Sequence, residues 1–286
     1  MSIVYIIYMD KIIFKDFYRY VPMFKDRWTP IYLEHGRLEV NNYSLKWVDS
    51  EGSIDIPVAT LSCICIGPGS MVTHAAIVSC SKANTPIVWM GEDGLYFYSF
   101  GVSVNEKCHT AMRQAKLWAD NHTKTQIARN MFSLRFPDVN VESCDISTLK
   151  GMEGNRIRNA YKMYADKYNI PWTCRNTNGI YGIQVDDLNK SLNILNFNMY
   201  CICLSVITTL GYIPSLGFIH SDGKIPFVYD IADLYKVDIC FDVAFSTFSS
   251  TRKYNKKLLI ENFTNAVHKY KLLKKLPNDL EKVLKC

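Results

Sequence analysis

The sequence predicts an α+β protein in which a small β-rich N-terminal domain precedes a larger, all-α-helical C-terminal domain. Before about residue 102, apolar and polar residues alternate, which is the period of a β-strand. After Asn105, apolar residues recur every three or four positions, which is the period of an amphipathic helix. A chain of 286 residues is long enough for one or two domains. We therefore expect domains at 25–102 and 106–286, preceded by an extension at 1–24 that fits neither period.

The strands of the first domain are predicted from alternation and from turn residues. "IYLEHGRLEVNNYSLKWVD" alternates about a turn at Asn41-Asn42, which is typical of a hairpin. "IDIPVATLSCICIGPG" continues the pattern and ends at Gly67-Pro68-Gly69. "SMVTHAAIVSCSKANT" predicts a short helix, and "PIVWMGEDGLYFYSFG" predicts two strands about Gly91–Gly94. The order of these elements lacks a regular β-α-β alternation.

The helices of the second domain follow from apolar residues at three-to-four spacing. "EKCHTAMRQAKLWAD", "HTKTQIARNMFSLRF" and "KGMEGNRIRNAYKMYADKYN" each predict one helix. A long helix is expected from about Asp187 to Leu210, and another from Pro226 through Tyr235. Basic helices then complete the chain. Pro226 suits the first position of its helix, since proline has no backbone N–H to leave unbonded there.

Composition places the chain among globular proteins, because 48% of its residues are hydrophobic and 21% are charged. The formal net charge of +6 permits nucleic acid as a partner without requiring it. Much of the excess lies near the C-terminus, in "RKYNKK" from Arg252 and "KYKLLKK" from Lys269. A basic patch that binds a polyanion and a solvated Lys-rich helix face both account for these runs.

The ten cysteines are spaced as Cys63-x-Cys65, Cys201-x-Cys203 and six single residues. Without a CxxC pair a zinc ribbon is not expected, and most of these cysteines lie among apolar residues, as small buried hydrophobes do. The absence of a recognisable signal peptide favours a reduced, cytoplasmic protein. The apolar run Met199–Ile213 is shorter than the roughly 20 residues of a spanning helix. We expect a buried core helix and no membrane association, with a membrane segment as the alternative.

An acid lies on the apolar side of the helix predicted around Gly151. Residues four apart share a helix face, so Glu153 points the same way as Ile157 and Tyr161. A carboxylate in that position is costly unless it is paired, hydrogen-bonded or bound to a cation. The alternative is that Glu153 lies at the start of its helix, where the helix dipole favours an acid.

Two further acids interrupt the helix that follows Pro226, which is apolar nearly all round and is expected to be buried. Asp230 and Asp233 are three apart and share a face, and the turn "HSDGK" allows His220 to approach them. The alternative for His220 is a hydrogen-bonded core or surface residue. Glutamate, histidine and aspartate together suit Mg²⁺ or Mn²⁺ better than structural zinc. Metal sites of this kind act on phosphates, where the cation polarises a phosphoryl oxygen.

These residues lie in motifs that resemble the CRISPR-associated integrase of the adaptation module, the "Cas one" family, and its subtype I-E members above all. The resemblance runs from Lys25 to about Leu280. The motifs are "KDRWTPIYLEHGRLEV", "PGSMVTHAAIVSC", "PIVWMGEDGLYFYS", "QAKLWAD", "MFSLRFP", "LKGMEGNRIRNAY", "LGYIPSLGFIH" and "PFVYDIADLYK". The extension before Pro22 has no counterpart in the family pattern, and the tail ends earlier than in some relatives.

The resemblance implies a helical catalytic domain, a homodimer and assembly with a small ferredoxin-like CRISPR-associated adaptation protein. It also implies a reaction, in which the 3′-hydroxyl ends of a short DNA duplex are joined into a CRISPR repeat by transesterification. Carried over by position, Glu153, His220 and Asp233 match the ligands of Mg²⁺ or Mn²⁺. Asp230 matches the neighbouring acid, and Tyr200 matches an active-site tyrosine for which a core aromatic is the alternative.

Double-stranded DNA is the expected partner, and basic residues should hold its phosphates in a salt-dependent way. Arg156 and Arg158 flank Glu153 and are candidates near the reacting strand, with a surface ion pair as the alternative. Lys253, Lys256 and Lys257 are candidates for duplex contact. Two other functions fit the same residues. One is a stand-alone metal-dependent nuclease on branched DNA, and the other is a DNA-binding subunit without chemistry, which would have no use for the buried acids.

Overall fold

The computed structural model describes residue 27 and residues 30–92, 96–103, 108–176 and 185–285. The predicted extension at 1–24 lies outside the described residues. The chain divides into two compact units, Met1–Glu106 and Lys107–Cys286, which we call the N-terminal and C-terminal units. Strands occupy the first unit and long helices the second. The predicted α+β class, a β-rich part followed by a helical part, is therefore confirmed.

The strands of the described part of the N-terminal unit form two four-stranded sheets. The first has the order β1-β5-β7-β8, and the second has the order β4-β3-β2-β6. The strands are β1 (Ile31–Leu33), β2 (Arg37–Asn41), β3 (Ser44–Asp49), β4 (Gly52–Asp55), β5 (Ile64–Ile66), β6 (Met71–Val72), β7 (Ile87–Met90) and β8 (Phe97–Gly101). In the first sheet β1, β5 and β7 are parallel and β8 is antiparallel to β7. In the second sheet β2, β3 and β4 form antiparallel pairs, and β6 is parallel to β2.

The predicted hairpin is the β2–β3 pair, with its turn one residue later than expected. Asn41 pairs with Ser44, so the two-residue loop is Asn42-Tyr43. Both loop residues have positive φ, 50° and 63°, as the twist of a two-residue hairpin requires. Trp47 in β3 and Leu38 in β2 are fully buried and belong to the apolar core of this unit.

The short helix predicted after Gly67-Pro68-Gly69 is α1 (His74–Lys82). It begins at the N-cap Thr73, whose hydroxyl accepts a hydrogen bond from the Ala76 amide at 3.2 Å. Because β5 and β7 are parallel, the chain needs a crossover between them, and α1 lies in that connection. One β-α-β-like connection therefore occurs in a domain for which no regular alternation was predicted.

The C-terminal unit consists of helices, most of them close to their predicted positions. They are α2 (Cys108–Ala119), α3 (Asn121–Arg135), α4 (Ile146–Tyr168), α5 (Asp187–Thr209), α6 (Pro226–Ala232), α7 (Asp242–Thr251), α8 (Lys256–Lys269) and α9 (Leu272–Val283). Helix α4 begins earlier than predicted, because Asp145 caps it by accepting a hydrogen bond from the Thr148 amide at 2.6 Å. Glu153 therefore lies in the third turn of α4, beyond the reach of a first-turn dipole effect.

Helix α6 ends sooner than the apolar pattern predicts. It stops at Ala232 with Asp233 as its C-cap, and a turn connects it to a π-helical segment at Val237–Phe241 that leads into α7. Asp230 lies inside α6 and Asp233 at its end. Asp233 keeps helical backbone angles and its amide donates to the Tyr229 carbonyl at 3.0 Å, so the two acids keep the three-residue relation on one face that their spacing predicted.

By length and composition, α5 could cross a membrane, since its most apolar 18-residue window has a mean hydropathy of 1.4. However, 67% of that window is buried inside the protein, as is typical of a core helix. Cys201 and Cys203 lie within α5 and are also buried. These observations agree with the predicted core helix. The cytoplasmic location stays a prediction.

Candidate metal centre

Side chains from three segments of the C-terminal unit line one cavity of about 1130 Å³. Glu153 comes from α4, His220 from the loop between α5 and α6, and Asp233 from the end of α6. Tyr200 of α5 and Lys236 also line it. The cavity thus brings together four of the five residues predicted for catalysis, and the fifth, Asp230, lies directly behind them.

Asp230 is fully buried and holds the His220 loop by its carboxylate. One oxygen accepts hydrogen bonds from the Phe218 and Ile219 amides at 2.6 and 3.1 Å. The other accepts the His220 amide at 2.9 Å and lies 2.7 Å from His220 Nδ1. Four contacts to a buried carboxylate offset the cost of removing its charge from water. The loop is tight enough that a Cβ on Gly217 would lie 2.4 Å from the His220 carbonyl oxygen.

Helix α2 holds the same loop from its other end. The buried side chain of Gln114 donates to the carbonyls of Ile213 and Leu216, each at 3.1 Å, and accepts the Ile213 amide at 2.7 Å. Trp118 donates its indole N–H to the Gly217 carbonyl at 2.9 Å. The loop that carries His220 is therefore hydrogen-bonded on both sides. These contacts explain the local role of the "QAKLWAD" motif.

The imidazole of His220 lies between the two aspartates. Its Nδ1 faces Asp230, and its Nε2 lies 3.7 Å from Asp233 Oδ2. The hydrogen bond to Asp230 raises the pKa of His220, burial opposes that shift, and the Asp233 charge adds to it. When the imidazole is neutral, a proton on Nδ1 is donated to Asp230 and the Nε2 lone pair is directed toward Asp233. A carboxylate behind a histidine is the usual arrangement that orients a metal-binding imidazole.

Asp233 is paired with a lysine of the same chain segment. Lys236 Nζ lies 2.6 Å from Asp233 Oδ1 and donates a hydrogen bond of 2.6 Å to the Tyr200 hydroxyl. Burial is the largest single effect and acts to raise the pKa of Asp233, but the charges of Lys236 and Arg135 and the hydrogen bond from Lys236 together outweigh it, and the pKa is lowered. Burial is likewise the largest single effect and acts to lower the pKa of Lys236, but the Asp233 charge and the contact with Tyr200 together reverse this, so the pKa is raised. Both groups are therefore charged at neutral pH.

Glu153 is paired with a buried arginine from α3. Arg135 Nη1 contacts Glu153 Oε1, and Arg135 Nη2 donates to the Asp230 backbone carbonyl at 2.7 Å. Burial raises the pKa of Glu153, while the Arg135 charge opposes the shift and the Asp233 charge adds to it. The alternative that Glu153 is a solvated acid at a helix start does not hold, since its side chain is 17% exposed.

The donor set fits a hard divalent cation. Two carboxylates and one imidazole offer oxygen and nitrogen ligands, and His220 is already oriented by Asp230. Among the described residues, the donor atoms of Glu153, His220 and Asp233 do not form a cluster with every separation under 4.8 Å. Instead, each acid contacts a cation of the chain, Arg135 or Lys236. The cavity is thus an acidic site that positive charge already stabilises.

The candidate DNA contacts occupy different environments. Arg158 is exposed and lines the cavity. Arg156 does not line it, because its Nη1 donates to the Arg135 carbonyl and its guanidinium lies 5.4 Å from the centre of the Phe136 ring. The three candidate lysines for duplex contact lie at or just before the start of α8, and they are not among the described cavity-lining residues. They are Lys253, Lys256 and Lys257.

Sequence reasoning missed Arg135 and Lys236, although both lay in quoted motifs. Arg135 follows Met131 and Ile127 at four-residue steps, so it shares the buried face of α3. The same signal singled out Glu153. Lys236 lies three residues after Asp233, within reach for an ion pair. A charged residue on an apolar helix face could have identified both of them.

Comparison with known proteins agrees with these motifs. The family described as "CRISPR associated protein Cas1" matches residues 31–141 and 138–281. A relative from Chlorobaculum tepidum, named CRISPR-associated endonuclease Cas1 2, is 38% identical over 266 residues, which cover 92% of this chain and 90% of the relative. The match spans both units and includes every residue of the cavity described above.

Solved structures resemble the whole chain as well. The crystal structure of TtCas1 is 29% identical, with a TM-score of 0.80, and the match covers 91% of this chain and 98% of that one. A TtCas1–DNA complex also has a TM-score of 0.80, at 29% identity, and covers 89% of this chain and 91% of its own. The narrower expectation of subtype I-E stays a prediction. With its fold and nearly its full length matched, the chain belongs to the Cas1 family of CRISPR-associated proteins.

Proposed function

We propose that this protein is a metal-dependent DNA endonuclease and integrase that joins the 3′-hydroxyl ends of short DNA into a CRISPR repeat array by transesterification. The observation that carries the proposal is the cavity in which Glu153, His220 and Asp233 meet, with His220 oriented by the buried Asp230. Membership of the Cas1 family, whose curated relatives are named endonucleases, supports it.

Glu153, His220 and Asp233 would hold a Mg²⁺ or Mn²⁺ ion in this proposal. The bound ion would act as a Lewis acid toward the scissile phosphate of the repeat. Asp230 accepts a hydrogen bond from the Nδ1–H group of His220. The Nε2 lone pair is thereby free to act as a metal ligand. Lys236 lowers the pKa of Asp233, and Arg135 opposes the rise that burial causes in the pKa of Glu153, so both cations favour the ionised carboxylates that a hard cation requires as ligands.

The chain's own residues would position the DNA. Arg158 lines the cavity together with Lys150 and Lys162, and all three are exposed on α4. Their spacing of four or eight residues places them along one face of the helix that carries Glu153. They can neutralise the phosphates of a strand whose 3′-hydroxyl is directed at the scissile phosphate. Tyr200, hydrogen-bonded to Lys236, also lines the cavity and would contact the reacting strand there.

The remaining partners are carried over from the family. We propose that the protein binds double-stranded DNA, both the incoming duplex and the repeat, as the name of the TtCas1–DNA complex supports for its own chain. We further propose a homodimer that assembles with a small ferredoxin-like CRISPR-associated adaptation protein. Lys253, Lys256 and Lys257 stay candidates for duplex contact.

A strand-joining assay tests the function. The wild-type chain, the partner protein, a short duplex with 3′-hydroxyl ends and a repeat-bearing plasmid are mixed with Mn²⁺ or Mg²⁺. We expect joined product, its loss on adding EDTA, and its loss in Glu153→Ala, His220→Ala and Asp233→Ala. Arg129→Gln, at a half-buried arginine outside the described cavity lining, is the control and should join DNA as the wild type does. Three folded alanine variants that all join DNA normally would disprove the assignment of the site.

Two other outcomes would favour a different function. Efficient cutting of branched DNA without the partner, and with no joining, would indicate a stand-alone nuclease that uses the same cavity. DNA binding with no measurable Mn²⁺ affinity and no joining would indicate a non-catalytic DNA-binding subunit. The buried acids of the cavity argue against that subunit, because burying carboxylates is costly and a subunit that does no chemistry has no use for them.

A further inference from the structure

Arg135 is a buried arginine that reaches both halves of the candidate metal centre. It lies at the last position of α3, and its side chain is 2% exposed. Nη1 contacts the Glu153 carboxylate of α4, and Nη2 donates to the Asp230 backbone carbonyl of α6 at 2.7 Å. The carboxylate of that same Asp230 holds His220. One guanidinium therefore connects Glu153 to the residue that orients His220.

Burying this cation is costly, and its contacts do not remove the whole cost. Arg135 Nε is buried and has no hydrogen-bond partner within the described part of the chain. An apolar residue at the end of α3 would avoid that penalty, since replacing buried ionic groups by hydrophobic ones is often neutral or stabilising. The presence of arginine at this position is therefore better explained by the contacts of Nη1 and Nη2 with Glu153 and Asp230 than by a contribution to core stability.

The chain supports Arg135 from outside as well. Arg156 donates to the Arg135 backbone carbonyl, and the Arg135 guanidinium lies 5.5 Å from the centre of the Phe132 ring. A guanidinium is planar, so its two terminal nitrogens are held at a constant separation. Glu153 and the Asp230 carbonyl are consequently held at a constant separation too. Lysine cannot do this, because its single ammonium has no such fork.

We propose that Arg135 is a positioning residue for the metal ligands, a role that rests on the proposed metal-dependent function. It occupies Glu153 Oε1, so that Oε2 would be the ligand oxygen, and it ties the position of Glu153 to that of His220 through Asp230. It touches neither DNA nor cation itself. Residues behind the ligands of a metal site typically change metal affinity by about 10–100-fold when they are replaced.

The chain offers a matched control on the same helix. Arg129 also pairs with a carboxylate, that of Glu142 at 3.8 Å, and donates to a backbone carbonyl, that of Cys144 at 3.4 Å. Its Nε is likewise buried without a partner among the described residues. None of these three residues lines the part of the cavity that the structure describes. Arg129→Gln thus matches the charge change of Arg135→Gln away from the ligands, at a side chain that is 25% exposed where Arg135 is 2% exposed.

Mn²⁺ binding to the full chain without DNA is measured by calorimetry and by the paramagnetic resonance of free Mn²⁺. Arg135→Gln should weaken binding by about 10–100-fold and Arg135→Lys by about tenfold, while Arg129→Gln stays within about twofold of wild type. Circular dichroism should show folded variants. In the joining assay, the Mn²⁺ concentration for half-maximal rate should rise for Arg135→Lys, and excess Mn²⁺ should restore most of the rate. A merely structural defect would not respond to the metal.

The proposal is overturned if folded Arg135→Gln and Arg135→Lys both bind Mn²⁺ within twofold of wild type. It is also overturned if neither variant folds, alone or combined with Glu153→Gln, because Arg135 is then a structural residue. A wild-type chain that binds no Mn²⁺ would instead disprove the metal requirement of the proposed function, and this proposal with it. Normal joining by the wild type beside unchanged affinity in both variants would disprove the Arg135 proposal alone.

Discussion

Single residues of the cavity are held in place by charge. Asp230 is buried among apolar side chains, yet its carboxylate makes four polar contacts, three with the backbone and one with the His220 ring. Asp233 and Glu153 each pair with one cation. Every acid of the candidate metal centre therefore has a partner within the chain, which allows the site to remain folded before any metal binds.

The first prediction concerns His220 and pH. Its folded pKa is raised above the unfolded value by the hydrogen bond to Asp230, against the effect of burial. The protonated ring therefore contributes stability that is fully present below about pH 6.5 and is lost as pH rises through the folded pKa. In EDTA, urea unfolding should show a larger stability difference between wild type and His220→Gln at about pH 5.5 than at about pH 8.5. A difference that does not change with pH would contradict this.

The second prediction concerns the Lys236 ion pair. Lys236→Met leaves the Asp233 carboxylate, 19% exposed, without its closest cation. Breaking a buried pair from one side typically costs about 3–5 kcal/mol, and we expect a loss of unfolding free energy near the lower end, about 3 kcal/mol. Lys257→Met, at an exposed lysine of α8, is the control and should change stability by less than about 0.5 kcal/mol. Chemical denaturation measures both, and equal effects would refute the ion-pair account.

At the scale of elements, α4 carries two glycines close to Glu153. The packing within the chain leaves room for a side chain at both positions. A Cβ built on Gly151 would meet nothing within 4 Å, and one on Gly154 would meet only Arg158 at 4.0 Å. Glycine inside a helix costs about 1 kcal/mol relative to alanine. Gly154 lines the cavity and Gly151 is exposed outside the lining. The open space over Gly154 is where a DNA strand would approach Glu153.

The third prediction separates the two glycines. Gly151→Ala and Gly154→Ala should each stabilise the protein, by up to about 1 kcal/mol in urea unfolding. Gly151→Ala should join DNA as the wild type does. Gly154→Ala should join more slowly despite its greater stability, because its methyl group narrows the approach to Glu153. Equal joining rates for the two variants would show that no strand passes over Gly154.

The end of α6 presents both acids of the site to the same loop. Asp233 is the C-cap of α6 and keeps helical backbone angles, so it lies about one turn after Asp230 on the same side of the helix. Asp230 is directed to the backbone of the His220 loop, and Asp233 to Lys236. The two acids consequently contact opposite nitrogens of one imidazole. Their spacing predicted a shared point, and the structure identifies that point as His220.

At the scale of the whole molecule, net charge and its placement should govern DNA binding. The chain carries a formal charge of +6, and Arg158 exposes one positive charge at the cavity. Each phosphate contact adds about 0.9 to the slope of log affinity against log salt concentration for duplex DNA. Arg156 is engaged by the Arg135 carbonyl instead, so the two neighbouring arginines should behave differently.

The fourth prediction tests that difference. Fluorescence anisotropy of labelled duplex DNA is measured across a salt series for the wild type, Arg158→Ala and Arg156→Ala. Arg158→Ala should weaken binding and reduce the salt slope by about 1, as the loss of one phosphate contact requires. Arg156→Ala should leave the slope unchanged and lower the unfolding free energy. If Arg156→Ala reduces the slope and Arg158→Ala does not, the placement of the two arginines is wrong for the DNA-bound protein.

Periodicity by itself determined the order of the elements, because a period of two and a period of three to four are local properties of a chain. The sequence also marked Glu153 and the two aspartates, since charge on an apolar helix face is costly and must have a partner, and it marked His220 through the turn that lets it approach them. Local reasoning was less accurate at element ends. The hairpin turn moved by one residue and α4 began earlier, at the cap Asp145. A capping hydrogen bond is a contact that periodicity does not include.

Only the tertiary structure decided which partner each charge has. Arg135 is 18 residues before Glu153 and 95 before the Asp230 carbonyl, and Gln114 is 99 residues before the loop it holds. No local pattern contains contacts at such separations. They arise when α2, α3, α4 and α6 pack together, because burial then forces every charged group to find a partner among the groups that packing places next to it. The sequence by itself identified the candidate ligands, and only the packing of the helices determined which residues hold those ligands in place.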